Sequence, residues 1–229
     1  MQNAELIKTI IISKKQKGKK WEKLEKFIQD FSDDCFHRTM PGKVKWNTTS
    51  GNETDYQRKI FESKTRLMPE KSTVEWYDLE LPVTFSGSGR RDCIDLIGKV
   101  GDQFLLCELK HMKTSQGDNP VYAMYEALKY YYCILKNHPK MDKLRTVHHE
   151  GKDCKKFKWG DFASKPIIMV VANKNYWDCW LAKGKGTRYS DMLKSEIAKM
   201  EEIGIDVRFY KTGNIDEIAN REVELTPVI

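Results

Sequence analysis

What the chain lacks narrows its class first. No apolar run approaches the ~20 residues that a membrane-spanning helix needs; the most apolar stretches are "IIMVVA" at 167–172 and "IKTIII" at 7–12. No small-residue cleavage site follows the second, so no secretory leader is read there and an intracellular, cytoplasmic protein without a membrane partner is expected. No internal repeat or low-complexity tract interrupts the 229 residues, which argues against a solenoid or a long linker. No CxxC pair occurs among the cysteines Cys35, Cys93, Cys107, Cys133, Cys154 and Cys179. Scattered free thiols in a reducing compartment are therefore expected, not a disulfide framework. "HHEGKDC" at 148–154 matches no zinc-ligand spacing, and no cysteine or histidine nucleophile has partners in the sequence.

What remains is a chain with 40% hydrophobic and 32% charged residues, a water-soluble globular composition with length enough for one large domain or two small ones. Its net charge of +7 fits a polyanionic partner.

Residues 3–12 and 20–34 read as helices, the second with Trp21, Leu24, Ile28 and Phe31 at helical spacing. The basic loop "KKQKGKK" (14–20) joins them, and the turn-rich stretch 39–52 follows. Residues 53–66 read as a helix capped by Asn52. Strands are predicted at 73–85, 93–100 and 103–110, the last two joined by the two-residue turn Gly101-Asp102. A helix over 119–137 has Asn119 as cap and Pro120 at its first position. The apolar-poor stretch 138–165 reads as a surface excursion, followed by a buried strand at 166–172, a helix at 188–203 stopped by Gly204, and a strand at 205–211. This order predicts an α/β fold: a mixed central β-sheet flanked by helices over 51–229, preceded by a helical N-terminal segment over 1–50.

One stretch carries chemistry. "FLLCELKHMK" (104–113) sets Glu108 and Lys110 on one face of an apolar strand, because side chains alternate along a strand. Counting outward from the Gly101-Asp102 turn puts Asp95 opposite Glu108. Two carboxylates facing each other across strands destabilise a sheet. A divalent cation reverses that sign, since hard cations gather carboxylate oxygens. Lys110 neutralising both acids in a structural network is the competing account. Asp92, three residues from Asp95, points to the other face. On the preceding helix Glu53 shares the face of Ile60, whereas Glu62 lies ~200° away at ~100° per residue and faces solvent. A first-turn glutamate also suits the helix dipole, so Glu53 has a structural reason as well.

The Asp-bearing strand, turn and E-x-K strand in "CIDLIGKVGDQFLLCELK", within Glu53–Val171, resemble the PD-(D/E)XK nuclease superfamily with its restriction-endonuclease-like core. The resemblance implies a magnesium-dependent nuclease, an endonuclease hydrolysing phosphodiester bonds of DNA, with Mn²⁺ able to substitute. It implies catalytic Asp95, Glu108 and Lys110 joined by Glu53, with Mg²⁺ held by Asp95, Glu108 and the Leu109 backbone carbonyl. Relatives with a Gln followed by a Tyr on the next helix have no direct counterpart: Glu126 stands at the Gln position, before Tyr130. Arg90, Arg91, Lys174, Lys183, Lys185 and Arg188 are the candidate nucleic-acid contacts. Tyr176, Trp177 and Trp180 fit either base stacking or core packing. A homodimer stays open. So do two alternatives: a nuclease-like module that binds nucleic acid without cutting it, and an unrelated α/β protein with an ion network.

Overall fold

The computed structural model describes residues 2–14, 16–31, 49–85, 91–112, 118–144, 158–164, 166–181, 186–213 and 222–229. Two N-terminal helices, α1 (Gln2–Ser13) and α2 (Lys19–Asp30), are followed by α3 (Glu53–Glu62). Asn52 caps α3, its side-chain oxygen accepting the Asp55 N–H at 2.7 Å. The helix ends at Glu62, four residues earlier than the pattern predicts, with Ser63 as its C-cap. Residues 64–67 instead form a strand, β1 (Lys64–Leu67), with alternate side chains buried.

Strands β2 (Ser72–Phe85), β3 (Arg91–Val100) and β4 (Gln103–Lys110) form an antiparallel meander. Gly101 supplies the positive φ of 55° that the β3–β4 turn needs. The turn fixes the predicted register, Val100↔Gln103 through to Leu96↔Cys107. Next come α4 (Pro120–Leu144), α5 (Trp159–Ser164), β5 (Ile167–Asn173), α6 (Lys174–Leu181), α7 (Gly186–Glu202), β6 (Asp206–Thr212) and β7 (Glu222–Pro227).

The sheet is closed, and this corrects the expected open, restriction-endonuclease-like sheet. β4, β5 and β6 run parallel; β7 pairs antiparallel with β6 and parallel with β1, so seven strands complete a barrel. The expected surface excursion over 138–165 is also corrected at both ends. α4 continues to Leu144, with Pro139 inside it, and α5 buries Trp159, Phe162 and Ala163. Residues 145–157, including "HHEGKDC", lie outside the described residues.

Closure produces two apolar regions. Inside the barrel, Leu105, Cys107 and Leu109 of β4 meet Ile167, Met169 and Val171 of β5, Trp76, Leu79 and Leu96, with Tyr56, Ile60 and Phe61 of α3 packed against them. Outside, Leu106, Ile168, Val170 and Ala172 pack beneath α4, and Ile7, Ile11, Leu24 and Ile28 bind α1 and α2 to the same layer. Strands β4 and β5 are therefore buried on both faces, which is why they read as continuous apolar runs. No helix among the described residues is long and apolar enough to cross a membrane. No disulfide joins Cys93, Cys107, Cys133 and Cys179 to one another; Cys35 and Cys154 lie outside the described residues.

Candidate active site

β4 places Glu108 and Lys110 on the outer, α4-facing side of the barrel wall, because Leu105, Cys107 and Leu109 take the inward positions. Glu108 is 4% exposed, an ionisable side chain between the fully buried Cys107 and Leu109. Lys110 Nζ donates to Glu108 Oε1 at 2.7 Å and to Glu126 Oε2 of α4 at 2.8 Å. The second oxygen of Glu108, Oε2, is buried with no hydrogen-bond partner among the described residues. A buried carboxylate oxygen left unpaired is costly and calls for a ligand or a proton.

Asp95 sits where the wall kinks. The β3–β4 ladder ends at Leu96↔Cys107, and Asp95 is the next residue. Leu79 and Leu96 pair inside the barrel, but the next pair along, Leu81 and Ile94, joins the outer layer. The switch follows Glu80, which holds a left-handed φ of 49° and is tied to Arg58 by a 2.9 Å ion pair. At this kink the Asp95 side chain turns along the sheet, and Oδ2 accepts the Leu109 N–H at 2.8 Å. The N–H and C=O of one strand residue point to the same side, so the Leu109 carbonyl is also directed to the β3 side of β4. Gln57 of α3 donates to the Asp95 backbone oxygen at 2.8 Å and to Oδ1 at 3.3 Å. Arg58 in turn donates to the Gln57 side-chain oxygen.

Glu53, at the start of α3, stays solvent-accessible, and its Oε2 accepts the His111 N–H at 3.1 Å, just beyond Lys110. The loop after β4 is held from the other side by Asn173, whose amide exchanges two hydrogen bonds with the Met112 backbone at 3.1 and 2.9 Å. Asp92 does not face away from α4 as alternation predicts. It pairs with the buried Lys129 of α4 at 3.2 Å, and the kink explains the change of side.

Protonation follows from this crowding. Burial raises the Asp95 carboxyl to about 7, against the pull of Lys110 and the Leu109 N–H. Burial raises Glu108 well above the carboxylate range, with Lys110 opposing. Burial also works against ionised Glu126, but Lys110 and Lys129 outweigh it and hold its carboxyl below the usual value. Lys110 loses water contact, yet Glu108, Glu126 and Asp95 together push its ammonium well above the ordinary lysine value. Lys110 is therefore a permanent cation and donor at neutral pH, not a base.

The donors are all oxygen: the Asp95 carboxylate, the Leu109 carbonyl and an orphaned oxygen of Glu108. That set fits a hard divalent cation in kind. In spacing, no group of three or more His, Cys, Asp or Glu side chains among the described residues is drawn together to hold a metal. Lys110 supplies the positive charge between the acids.

The remaining candidates separate from this point. Arg188 is exposed on α7, and Lys174 is exposed but bonded to Asp178 at 2.5 Å. Arg90, Lys183 and Lys185 lie outside the described residues, as does the side chain of Arg91. Tyr176, Trp177 and Trp180 are buried core residues of α6, with Trp177 Nε1 donating to the Tyr210 carbonyl at 2.9 Å. Gln57 and Lys129 were not singled out from the sequence. Both are buried polar residues of helices that face the sheet, which the sequence alone does not mark.

No family model, curated protein or solved structure matches the chain.

Proposed function

We propose that the chain is a divalent-metal-dependent nuclease that hydrolyses phosphodiester bonds of DNA. The observation that carries this is the meeting of Asp95, Glu108 and Lys110 at a strand kink, with one Glu108 oxygen buried and unpartnered. Asp95, Glu108 and the Leu109 carbonyl would hold Mg²⁺ or Mn²⁺. Such an ion lowers the pKa of bound water and neutralises phosphate charge. Lys110 donates hydrogen bonds to the attacking water or the phosphate oxygens and offsets their growing charge. Glu126 keeps that ammonium in place. Gln57 and the Leu109 N–H hold the Asp95 carboxylate in one orientation, and Glu53 fixes the turn beyond Lys110.

The test is cleavage of labelled single- and double-stranded DNA and RNA with Mg²⁺ or Mn²⁺, then with EDTA, comparing wild type and Lys110→Ala. EDTA-sensitive cleavage by wild type, at least a hundredfold slower in the variant, is expected. A folded wild type that cuts none of these substrates with either metal sinks the reading.

A second reading draws on the double ion pair of Lys110 with Glu108 and Glu126: a structural network in a protein that does not cut. It predicts no heat of Mg²⁺ or Mn²⁺ binding by calorimetry, and unchanged nucleic-acid affinity in Asp95→Asn.

A further inference from the structure

The first turn of α2 reaches the start of α4. Lys20, the second residue of α2, pairs with Asp118 and lies 5.8 Å from the ring centre of Tyr122. Trp21 meets the rings of Tyr122 and Tyr125 edge-on at 5.2 and 5.4 Å. The end of α1 is anchored too: Lys14 pairs with the buried Glu196 of α7 at 2.6 Å, and Tyr125 donates to the same carboxylate at 2.6 Å. The two helices are thus clamped across α4 and α7, not tethered loosely.

Between these elements lies a cavity of about 270 Å³. Trp21, Tyr189 and Met192 give it apolar walls, and Gln16, Asn119 and Arg188 give it polar ones. The volume suits one flat heterocycle rather than a duplex. Trp180, in ring contact with Tyr189 at 4.8 Å, holds a buried indole N–H with no acceptor among the described residues. Outside the cavity, Lys17, Lys19 and Lys23 are exposed and have no ion pair among the described residues. Arg188 lies in the first turn of α7, where a cation opposes the helix dipole and gains nothing structurally. Asn119, which caps α4 by accepting the Tyr122 N–H at 2.9 Å, is seven residues before Glu126, roughly 10 Å along the helix.

We propose that residues 16–21 and this cavity form the single-strand clamp of the enzyme: Lys17, Lys19 and Arg188 neutralise backbone phosphates, and one unpaired base enters the cavity beside Trp21 and Tyr189. Aromatic walls serve any base, because every base has a π-face, while the cations track the backbone. The placement feeds a strand along α4 toward Lys110. This proposal rests on the nuclease reading for its substrate, but binding without metal tests it separately.

The experiment measures fluorescence anisotropy of a labelled single-stranded oligonucleotide with full-length protein in EDTA, across a salt series. The triple variant Lys17→Glu, Lys19→Glu, Arg188→Glu changes only exposed side chains. It is expected to bind at least tenfold more weakly, with the log–log salt slope shallower by about 2, at ~0.7 per phosphate on single strands. An abasic oligonucleotide of equal length is expected to bind wild type at least tenfold more weakly than the base-bearing one. Unchanged affinity in the triple variant, or equal affinity for the abasic strand, overturns the clamp. Binding that follows these expectations in a protein that never cleaves upholds the clamp and sinks the nuclease reading. Cleavage by wild type with a fully active, fully binding triple variant does the reverse.

Discussion

The carboxylate of Asp95 accepts the backbone N–H of Leu109 at 2.8 Å, one step past the last β3–β4 ladder pair. A side chain has taken over where the kinked strand leaves its partner, so this carboxylate is held by the sheet itself. Asp95→Asn keeps an oxygen acceptor and removes the charge, whereas Asp95→Ala removes both. We expect Asp95→Asn to fold and to lose Mg²⁺-dependent stabilisation. Asp95→Ala should also lose about 1–2 kcal/mol of metal-free stability, the cost of an unmade buried hydrogen bond. Thermal melts with and without Mg²⁺ separate the two, since a ligand of the native state alone raises its melting temperature.

The same burial sets a pH dependence. In the folded protein Asp95 holds its proton up to about 7, against an ordinary value of 3.8, and Glu108 is shifted the same way. Between those limits the folded state binds more protons than the unfolded state, so metal-free stability falls as pH rises. The contribution is complete below pH 4 and lost above pH 7. Metal-free protein should melt at a lower temperature at pH 8 than at pH 5.5, and Asp95→Asn should flatten the difference. Metal binding must displace these protons, so Mg²⁺ affinity should rise over the same interval. A melting temperature that climbs from pH 5.5 to 8 without metal contradicts the assignment.

Glu126 acts through Lys110, which it holds at 2.8 Å. Glu126→Gln keeps an acceptor but withdraws a charge that helps hold the ammonium high. The expected result is a cleavage rate roughly ten- to a hundredfold lower with nucleic-acid affinity in EDTA unchanged, and a high-pH limb of the rate profile moved downward. A purely structural role lowers the melting temperature and leaves that limb where it was.

Much of the site geometry was readable because it follows short-range rules. The Gly101-Asp102 turn set the β3–β4 register, and alternation put Glu108 and Lys110 together. Strict alternation failed at Asp92, since the kink at Glu80 changes which side the strand presents, and no local pattern announces it. The barrel was illegible for a different reason. Its closing strands are short and half polar: "KTRL" continues the charged pattern of α3, and "EVELTP" buries only Val223 and Leu225. What makes them strands is their parallel pairing across more than 150 residues of chain, visible only in three dimensions. Gln57 and Arg58 were missed likewise, because a polar pair on a helix looks solvated until the sheet is placed against it.

Two glycines flanking the hairpin make opposite use of having no side chain, and one pair of substitutions tells them apart. At Gly98 an added Cβ meets the Glu75 carbonyl oxygen and the Trp76 ring, each at 2.7 Å. The oxygen belongs to the paired strand β2 and the ring is buried in the barrel, with its Nε1 donating to Thr65 at 2.9 Å, so neither yields cheaply. Gly98→Ala should cost about 1–3 kcal/mol or more by overpacking, and Gly98→Asn should be worse. At Gly101 an added Cβ meets nothing within 4 Å, but the φ of 55° penalises an ordinary side chain. Gly101→Ala should cost about 1 kcal/mol, and Gly101→Asn should recover most of it, because asparagine tolerates the left-handed region. Urea denaturation of the four variants gives the order. Recovery by asparagine at 98, or its failure at 101, would mean that the strand register around Asp95 differs from the one described.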